Sequence, residues 1–480
     1  FPAATPNDDF DSAKKVEIAE DGSLVFSDWV GYGDATDVYL IDAANAGMLD
    51  YLKISHLEGS VKVEVYDLSG KKLKSVSVKN DGNILDEILV PGDFYITVTS
   101  GDNGKGKQNT GYEIVGGVTY FPEPTDNNTI ATADTVTLDE NGFGTITGWV
   151  GYGDAVNYYK LDTAAAGTLN LSVSGLEGKV NVVLYDADGK KLKSVSVSKD
   201  STNIFKDILV PGNAAYLSVT SGDNGKGKQN SDYVLTVQEN YFPAATDNNT
   251  FNTASDVTLV DGAAVEKGWV GYGDASDFYR LNMGNAGLLD LSVANVTDKV
   301  SVAVYDAQGK KLKSFSVNSG DKLLLDDYLL TSGVSYISVT SGDNGKGKNN
   351  SSYELIIGAE VFPAASDNNS MASAFAFEFD EAGKATVTDW VGYGNEEDFF
   401  KFEIGEDGGN VALDLKLDDE SLRIGNEVLF SLYNEEGKTL LNIKNGVMQD
   451  SLAAGTYYVS VEVKDEKKHN TSYSLGVTLA

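Results

Sequence analysis

One pentapeptide, Trp-Val-Gly-Tyr-Gly, occurs four times in this chain, and this repetition restricts the fold more than any other feature. It begins at Trp29, Trp149, Trp269 and Trp390, so that successive copies are 120, 120 and 121 residues apart. A unit of this length can bury a core of its own, whereas the coils of a solenoid are much shorter. The spacing therefore predicts four tandem domains, each with its own core, and not a solenoid.

Two further motifs recur with the pentapeptide and place the boundaries. Phe-Pro begins at Phe1, Phe121, Phe242 and Phe362. The octapeptide Ser-Gly-Asp-Asn-Gly-Lys-Gly-Lys, here called the Gly-Lys loop, is unchanged at Ser100, Ser221 and Ser341 and is missing from the last copy. The predicted domains are residues 1–120, 121–241, 242–361 and a divergent 362–480.

Within each copy the apolar residues alternate with polar ones. Val61, Val63 and Val65 alternate with Lys62 and Glu64, which is typical of a strand with one buried face. Short alternating runs separated by Gly and Asp turns predict an all-β chain. The expected fold class is four tandem antiparallel β-sandwich domains with a jelly-roll-like arrangement.

Charge and composition exclude several classes of function. The chain has 37 basic and 72 acidic residues and a formal charge of −35. Nucleic-acid-binding proteins need a basic surface, so this charge argues against that class, and it attracts cations instead. No apolar run is long enough to predict membrane insertion. Cysteine is absent, and the chain begins with Phe1 and not Met. These features favour an exported protein whose signal peptide has been removed, or a piece of a longer one.

Four segments carry a resemblance to a known family. They are Asp-Asn-Asn at 126–128, Gly-Asp-Ala-Ser-Asp-Phe-Tyr at 273–279, Gly-Thr-Tyr-Tyr-Val-Ser-Val at 455–461 and Ser-Tyr-Ser-Leu at 472–475. With these motifs each copy resembles the pre-peptidase C-terminal domain of secreted bacterial proteins. The resemblance implies a jelly-roll-like sandwich found beside proteases or in surface adhesins. Some members bind calcium, and some bind collagen or polysaccharide.

The inventory of reactive side chains argues against catalysis. The chain has two histidines, at non-equivalent positions of the first and last copies, and no cysteine. A Ser-His-Asp or Cys-His device, or a zinc site with His or Cys ligands, therefore cannot be repeated in every copy. The protein is predicted not to be an enzyme.

Calcium is the chemistry that the sequence favours, because it binds oxygen ligands and two oxygen-rich clusters recur in every copy. The first cluster, called the Asn/Asp segment, comprises Asn7, Asp8, Asp9, Asp126, Asn127, Asn128, Asp247, Asn248, Asn249, Asp367, Asn368 and Asn369. The second, called the step pair, comprises Asp34 and Asp37, Asp154 and Asn157, Asp274 and Asp277, and Asn395 and Asp398. The sequence predicts about one calcium ion per copy at these residues. Asn and Asp also cap helices and form turns, so a structural role stays open.

The repeated aromatic and glycine motifs have two readings each. Trp29 and its equivalents are expected to anchor a core, with an exposed sugar-binding platform as the alternative. The Gly-Lys loop is expected to be unchanged between copies because of its turn geometry, with Gly104 and Gly106 at positive φ. The alternative is that Lys105 and Lys107 form a recognition surface.

These observations predict a non-catalytic extracellular array, located outside the cell or on a bacterial cell surface. Its role would be that of an adhesin or stalk with calcium-stabilised domains. Its partner would be an extracellular protein or glycan, with no nucleic acid bound and no membrane insertion. The alternatives are a substrate-binding accessory region of a secreted protease or other hydrolase, and a structural spacer without a ligand.

Overall fold

Strands make up 61% of the chain, in keeping with the alternating sequence pattern. The computed structural model describes residues 1–163, 165–212, 214–418, 428–444, 446–464 and 470–480. Over these residues the helical segments are short 3-10 turns, at Ile130–Thr132, Phe251–Thr253 and Met371–Ser373. None of the helices in these ranges is long and apolar enough to cross a membrane.

Each sequence copy, called a repeat from here on, contributes nine strands. Those of repeat one are Lys14–Glu17 (β1), Ser23–Val30 (β2), Thr36–Asp42 (β3), Gly47–Ser55 (β4), Val61–Asp67 (β5), Lys72–Val78 (β6), Gly82–Val90 (β7), Phe94–Ser100 (β8) and Thr110–Tyr120 (β9). Those of repeat two are Asp134–Thr137 (β10), Phe143–Val150 (β11), Val156–Asp162 (β12), Gly167–Ser174 (β13), Val180–Asp186 (β14), Lys191–Val197 (β15), Ser201–Val210 (β16), Ala215–Ser221 (β17) and Ser231–Tyr241 (β18).

The other two repeats follow the same order. The strands of repeat three are Ser255–Asp256 (β19), Ala263–Val270 (β20), Ser276–Asn282 (β21), Gly287–Val296 (β22), Val300–Tyr305 (β23), Lys311–Val317 (β24), Gly320–Leu330 (β25), Val334–Ser341 (β26) and Ser351–Val361 (β27). Those of repeat four are Phe375–Ala376 (β28), Lys384–Val391 (β29), Glu397–Ile404 (β30), Gly409–Leu417 (β31), Val428–Asn434 (β32), Thr439–Lys444 (β33), Gly446–Leu452 (β34), Gly455–Val463 (β35) and Thr471–Leu479 (β36).

Two sheets form in every repeat, and they enclose its core. In repeat one the five-stranded sheet has the order β1-β3-β8-β5-β6 and the four-stranded sheet the order β2-β9-β4-β7. The equivalent strands have the same orders in the other repeats. The residues of each core come from both sheets, as Leu49 of β4 and Val63 of β5 do in repeat one.

The predicted fold class is wrong, although its all-β content is confirmed. Followed along the sequence, the chain crosses from one sheet to the other after nearly every strand and winds as a β-solenoid of about 15 turns, not as four separate sandwich domains. The five-stranded sheets are also mixed and not antiparallel, because β1 pairs with β3 in parallel, and β10, β19 and β28 pair likewise.

The fold class was predicted wrongly because the alternation of apolar and polar residues does not determine how strands are arranged. A period of two fixes which face of a strand is buried, but it specifies neither the strand's neighbour nor its direction. The chain has two compact units, Phe1–Phe242 and Pro243–Ala480. The three domain boundaries, at residues 120, 241 and 361, stay a prediction.

Candidate cation site

One asparagine of each Asn/Asp segment is buried beside the step pair of the same repeat, namely the first residue of the segment in repeat one and the middle residue in the other repeats. In repeat one the carbonyl oxygen of Asn7 accepts a hydrogen bond from the backbone N–H of Val38, at 2.6 Å. The carbonyls of Asn127, Asn248 and Asn368 accept the equivalent bond at 2.7 Å in each case. This bond holds the segment against the edge of the five-stranded sheet, next to the second step residue.

The step pair owes its position to the turn between the second and third strands of each repeat. In repeat one, Gly31 and Asp34 form a bridge across this turn, and Gly33 has a φ of 82°, which favours glycine. Asp37 follows as the second residue of β3. Asp34 and Asp37 are 2% and 0% exposed, and the other six step residues are buried equally well.

One oxygen in this cluster lacks a hydrogen-bond partner in all four repeats. It is the Oδ1 atom of the first step residue, in Asp34, Asp154, Asp274 and Asn395. Repeat four adds Asp398 Oδ1 and both side-chain polar atoms of Asn368. Buried polar atoms are nearly always paired, so a fourfold recurrence at one position marks a place where a bound water or a cation would complete the cluster.

Few hydrogen-bond donors are available to the remaining oxygens. In repeat three the Thr246 hydroxyl oxygen lies 2.6 Å from Asn248 Oδ1, 3.2 Å from Asp274 Oδ2 and 2.8 Å from Asp277 Oδ1. One hydroxyl has one hydrogen and can donate to only one of these three acceptors. The cluster is therefore rich in acceptors and poor in donors, as a site for a hard cation is.

The Asn7 amide can face this cluster in two ways. Its inward side lies 3.1 Å from the Thr5 carbonyl oxygen and 3.0 Å from Asp37 Oδ1. With the nitrogen inward, the amide donates to both oxygens. With the oxygen inward, three oxygens face one another, an arrangement that needs either a cation between them or a proton on Asp37.

A buried tyrosine contacts the second step residue, and repeat two differs here from the other three. The hydroxyls of Tyr112 and Tyr353 donate to Asp37 and Asp277, and Tyr473 donates to Asp398 at 2.6 Å. In repeat two the residue is Asn157, whose amide nitrogen donates instead, to Tyr233 at 3.0 Å and to the Trp149 carbonyl at 2.8 Å.

Burial makes ionisation of these aspartates unfavourable when nothing compensates their charge. It raises the pKa of Asp37 to about 7, against the opposing hydrogen bond from Tyr112. Burial also raises the pKa of Asp398 to about 7, and it raises that of Asp277 as well. Each of these carboxyls is therefore protonated more readily than an ordinary aspartate, and a bound cation would favour its ionised form.

The outer residues of the Asn/Asp segments lie outside the cluster. They are exposed and comprise Asp8, Asp9, Asp126, Asn128, Asp247, Asn249, Asp367 and Asn369. Asp9 accepts from the backbone N–H of Ser12 at 2.9 Å, and Asn128 donates to the Thr125 carbonyl at 2.6 Å. Through these hydrogen bonds Asp9 and Asn128 stabilise local turns.

A different acidic cluster was not predicted from the sequence. Asp290, Asp326 and Asp327 bring three carboxylates within 4.8 Å of one another, and all three residues are exposed. Asp327 has a φ of 48° in a β-bulge, and its N–H donates to Asp290 at 2.8 Å. The signal in the sequence is the pair of adjacent aspartates, Asp326 and Asp327, just before the apolar end of β25. Because Asp207 and Asn170 make the same contact at 3.0 Å in repeat two, the cluster has a structural role in the bulge.

The Gly-Lys loops have the turn geometry that the sequence predicts. Gly104 and Gly106 have φ values of 74° and 84°. The Asp102 side chain accepts a hydrogen bond from the backbone N–H of Lys107, and the Lys105 and Lys107 side chains are exposed.

The repeated tryptophans differ in burial. Trp390 is buried, whereas Trp29 is half-buried against Phe1, at 5.6 Å between ring centroids.

Comparisons with known proteins do not assign this chain to a family. No family model matches it, and no curated protein matches its sequence. Among solved structures, a periplasmic inhibitor of g-type lysozyme from Aeromonas hydrophila matches 22% of this chain and 96% of its own, at 14% identity and a TM-score of 0.19. A structure from Sulfolobus turreted icosahedral virus matches 45% of this chain and 92% of its own, at 12% identity and a TM-score of 0.16. Likenesses this weak carry no functional argument, and the pre-peptidase C-terminal resemblance stays a prediction.

Proposed function

We propose that this protein is a non-catalytic extracellular array whose repeats are stabilised by bound calcium. It would serve as a surface adhesin or stalk that presents repeated surfaces to a protein or glycan outside the cell. Repetition supports this role, because several weak contacts on one chain combine into a strong attachment through effective concentration. The charge of −35 keeps such an array soluble and raises the local concentration of cations.

The observation that carries the proposal is the unpaired Oδ1 atom of the first step residue. It recurs at Asp34, Asp154, Asp274 and Asn395, each 2% exposed or less. A random packing defect does not fall on the same atom of the same turn four times. A bound cation satisfies that oxygen and removes the repulsion between neighbouring carboxylates.

The donor set fits calcium better than other metals. Carboxylate, amide and carbonyl oxygens are hard ligands of the type that calcium binds, and neither thiolate nor imidazole is among them. In repeat one the candidate ligands are Asp34, Asp37, the Asn7 amide oxygen and the Thr5 carbonyl oxygen. The ion would tie the segment before β1 to the turn before β3.

Three repeats have a carboxylate at the second step position, and one has an amide. Asp37, Asp277 and Asp398 supply this carboxylate in repeats one, three and four. Repeat four has one step carboxylate, as repeat two does, but its unpaired Asn395 Oδ1 and Asp398 Oδ1 are both oxygen ligands. Asn157 directs its N–H groups to neighbouring acceptors, so repeat two lacks an anionic ligand at the second step position although Asp154 Oδ1 is unpaired there too. Three calcium ions per chain are therefore expected.

Thermal unfolding with and without chelator tests this proposal. A ligand that binds only the folded state adds about 2.7 kcal/mol when it is present at 100 times its dissociation constant. The calcium-loaded chain should therefore melt several degrees higher than the chelated chain. Asp37→Asn should abolish that gain for repeat one, while Asp8→Asn, at an exposed position outside the cluster of the same repeat, should preserve it. Equal melting with calcium and chelator contradicts the proposal.

A further inference from the structure

A row of two lysines and two tyrosines crosses the outer face of the five-stranded sheet of repeat two. Each member is the direct cross-strand partner of the next, and the row, called the tyrosine-lysine row, runs in the order Lys160, Tyr216, Tyr185 and Lys191. Leu161, Leu184 and Leu217, which are adjacent to members of the row along their strands, are buried in the core. Because side chains alternate along a strand, the row points away from the core.

The row combines aromatic surface with a positive charge at each end. The two lysines are separated by three strand spacings of about 4.8 Å, so their backbones lie about 14 Å apart. Tyr185 and Tyr216 lie between them and are half-buried. A third ring, that of Tyr158, lies 6.2 Å from Tyr185 between centroids and extends the aromatic surface.

The lysines of this row have no carboxylate partner in the part of the chain that the structure describes. Neither Lys160 nor Lys191 is a member of any ion pair there. The nearest carboxylate along the chain, that of Asp186, accepts from the backbone N–H groups of Asp188 at 3.1 Å and Lys190 at 2.9 Å. In a chain with a formal charge of −35, two unpaired cations on one row favour an anionic partner.

The equivalent row of repeat one is incomplete, and its members are engaged within the repeat. Leu40 replaces the first lysine. Lys72, at the position of Lys191, forms an ion pair with Glu64 at 2.5 Å. The ring of Phe10 packs on both tyrosines, at 5.3 Å and 4.6 Å between centroids. Repeat one therefore lacks the surface that repeat two presents.

Repeats three and four also differ from repeat two. In repeat three Arg280 forms an ion pair with Asp256 at 2.5 Å, and the ring of Phe251 packs on both tyrosines at 5.1 Å. In repeat four Thr439 replaces the lysine of the hairpin. In repeat two the residue equivalent to Phe251 is Ile130, which contributes no ring. Among the described residues, repeat two alone combines both lysines and both tyrosines without an ion pair or a covering ring on the row.

We propose that the tyrosine-lysine row of repeat two binds an anionic glycan, with a sugar ring against the tyrosines and an acidic group at each lysine. The apolar face of a sugar ring packs on an aromatic side chain while its hydroxyls stay in water. An extended acidic peptide fits less well, because the strands under the row already pair their backbone groups with one another and leave none for the peptide. This inference names the partner of the proposed function and rests on it for the extracellular location, but not for calcium.

Fluorescence anisotropy with labelled oligosaccharides and the full chain tests the proposal. The anionic probes are octasaccharides of hyaluronan and of chondroitin sulfate, and at least one of them should bind. Carboxyl-reduced hyaluronan, which has the same rings without the charges, and polyglutamate, which has the charges without the rings, should each bind at least tenfold more weakly. The proposal is wrong if neither anionic octasaccharide binds, or if polyglutamate binds as tightly as they do.

Substitutions locate the binding surface. Lys160→Ser with Lys191→Ser should weaken binding about tenfold, as the loss of two exposed ion pairs does. Lys199→Ser with Lys206→Ser changes the charge equally at exposed positions of repeat two outside the row and should leave the affinity unchanged. Equal affinities of the two double variants would place binding elsewhere and overturn the proposal.

A further variant and a chelator separate the ring contacts and calcium from the charges. Tyr216→Leu should weaken binding although both lysines remain, and circular dichroism melting shows whether its fold is retained. If the folded Tyr216→Leu variant binds as the parent does, the tyrosines are not part of the site and the proposal is wrong. Binding by the parent should be equal in calcium and in chelator, since repeat two is the repeat without an expected calcium ion. Failure of the calcium proposal would therefore leave glycan binding intact, and loss of glycan binding would leave the calcium-dependent melting intact.

Discussion

Repeats one and two have the same backbone around the step pair and different charges within it. In repeat one, Asp34 and Asp37 are both carboxylates, and Asp28 lies near them, 3.2 Å from the Thr5 hydroxyl. In repeat two, Gly148 takes the place of Asp28 and Asn157 that of Asp37. Asn157 satisfies its amide with two hydrogen bonds, whereas Asp37 depends on Tyr112 and on a proton or a cation.

This difference teaches how one fold can be stabilised in two ways. Where the second step residue is an amide, hydrogen bonds satisfy that residue, and the unpaired oxygen of the step pair is Asp154 Oδ1. Where it is a carboxylate, the cluster needs positive charge, because a buried charge without a partner costs several kcal/mol. Repeat two is thus an internal control for the proposed calcium sites.

The largest effect is expected from converting repeat two to the type of repeat one. Asn157→Asp places a second carboxylate beside Asp154 and removes the amide donors. In chelator the repeat should lose about 3–5 kcal/mol of unfolding free energy, which is typical of a buried, unpaired charge. Calcium should restore most of that loss.

Denaturant unfolding of the variant and the parent, each with calcium and with chelator, measures the effect. Asp232→Asn, at an exposed position of β18 in the same repeat, is the control and should change little. A loss of stability that calcium does not reverse would contradict the comparison. It would mean that the shared backbone does not form a calcium site even when both step residues are carboxylates.

A second difference between the two repeats concerns a buried acid. Glu239 of β18 is 1% exposed and its oxygens are unpaired, while repeat one has Val118 at this position. Burial raises the pKa of Glu239 to about 7. The unfolded chain therefore loses its proton first as the pH rises from about 4.5. The contribution of the protonated Glu239 to the unfolding free energy is complete below that value and is lost by about pH 7, a decrease of about 3 kcal/mol.

Glu239→Val should remove this pH dependence and stabilise repeat two at pH 8. Unfolding free energies of the parent and the variant at pH 5 and pH 8 give the result, and Glu239→Gln separates charge from polarity. If the parent and the valine variant lose the same free energy between the two pH values, Glu239 is not the titrating group.

The smallest effect is expected at the outer residues of the Asn/Asp segments. Asp247 is exposed and lies outside the buried cluster, although the sequence placed it among the calcium ligands. Asp247→Ala should change stability by less than about 0.5 kcal/mol, as surface substitutions usually do. Its calcium affinity should equal that of the parent, while Asp277→Asn in the same repeat should weaken binding strongly. A tenfold loss of affinity in Asp247→Ala would extend the site to the surface.

Burial along each strand and the backbone geometry of the glycine turns could be predicted from the sequence, whereas the arrangement of the strands could not. Alternating valines such as Val61 and Val63 are buried as predicted, and Gly104 and Gly106 have the predicted positive φ. The parallel pairing of β1 with β3 was missed, because neither alternation nor turn residues report which strands become neighbours.

The candidate site was predicted in part for the same reason. The step pair stood out because oxygen side chains occupy both positions in every repeat. Within the Asn/Asp segment, however, three similar residues stand in a row, and only the fold decides which of them is buried. The bond from Val38 to the Asn7 carbonyl selects Asn7 and leaves Asp8 and Asp9 in solvent.

The number of calcium ions bound per chain tests the central claim most directly. Chelator-treated protein should be titrated with calcium by isothermal titration calorimetry, with elemental analysis of the dialysed complex as a second count. The account predicts three ions for the parent chain, two for Asp37→Asn and four for Asn157→Asp. No bound calcium in the parent, or the same count in all three proteins, would contradict it.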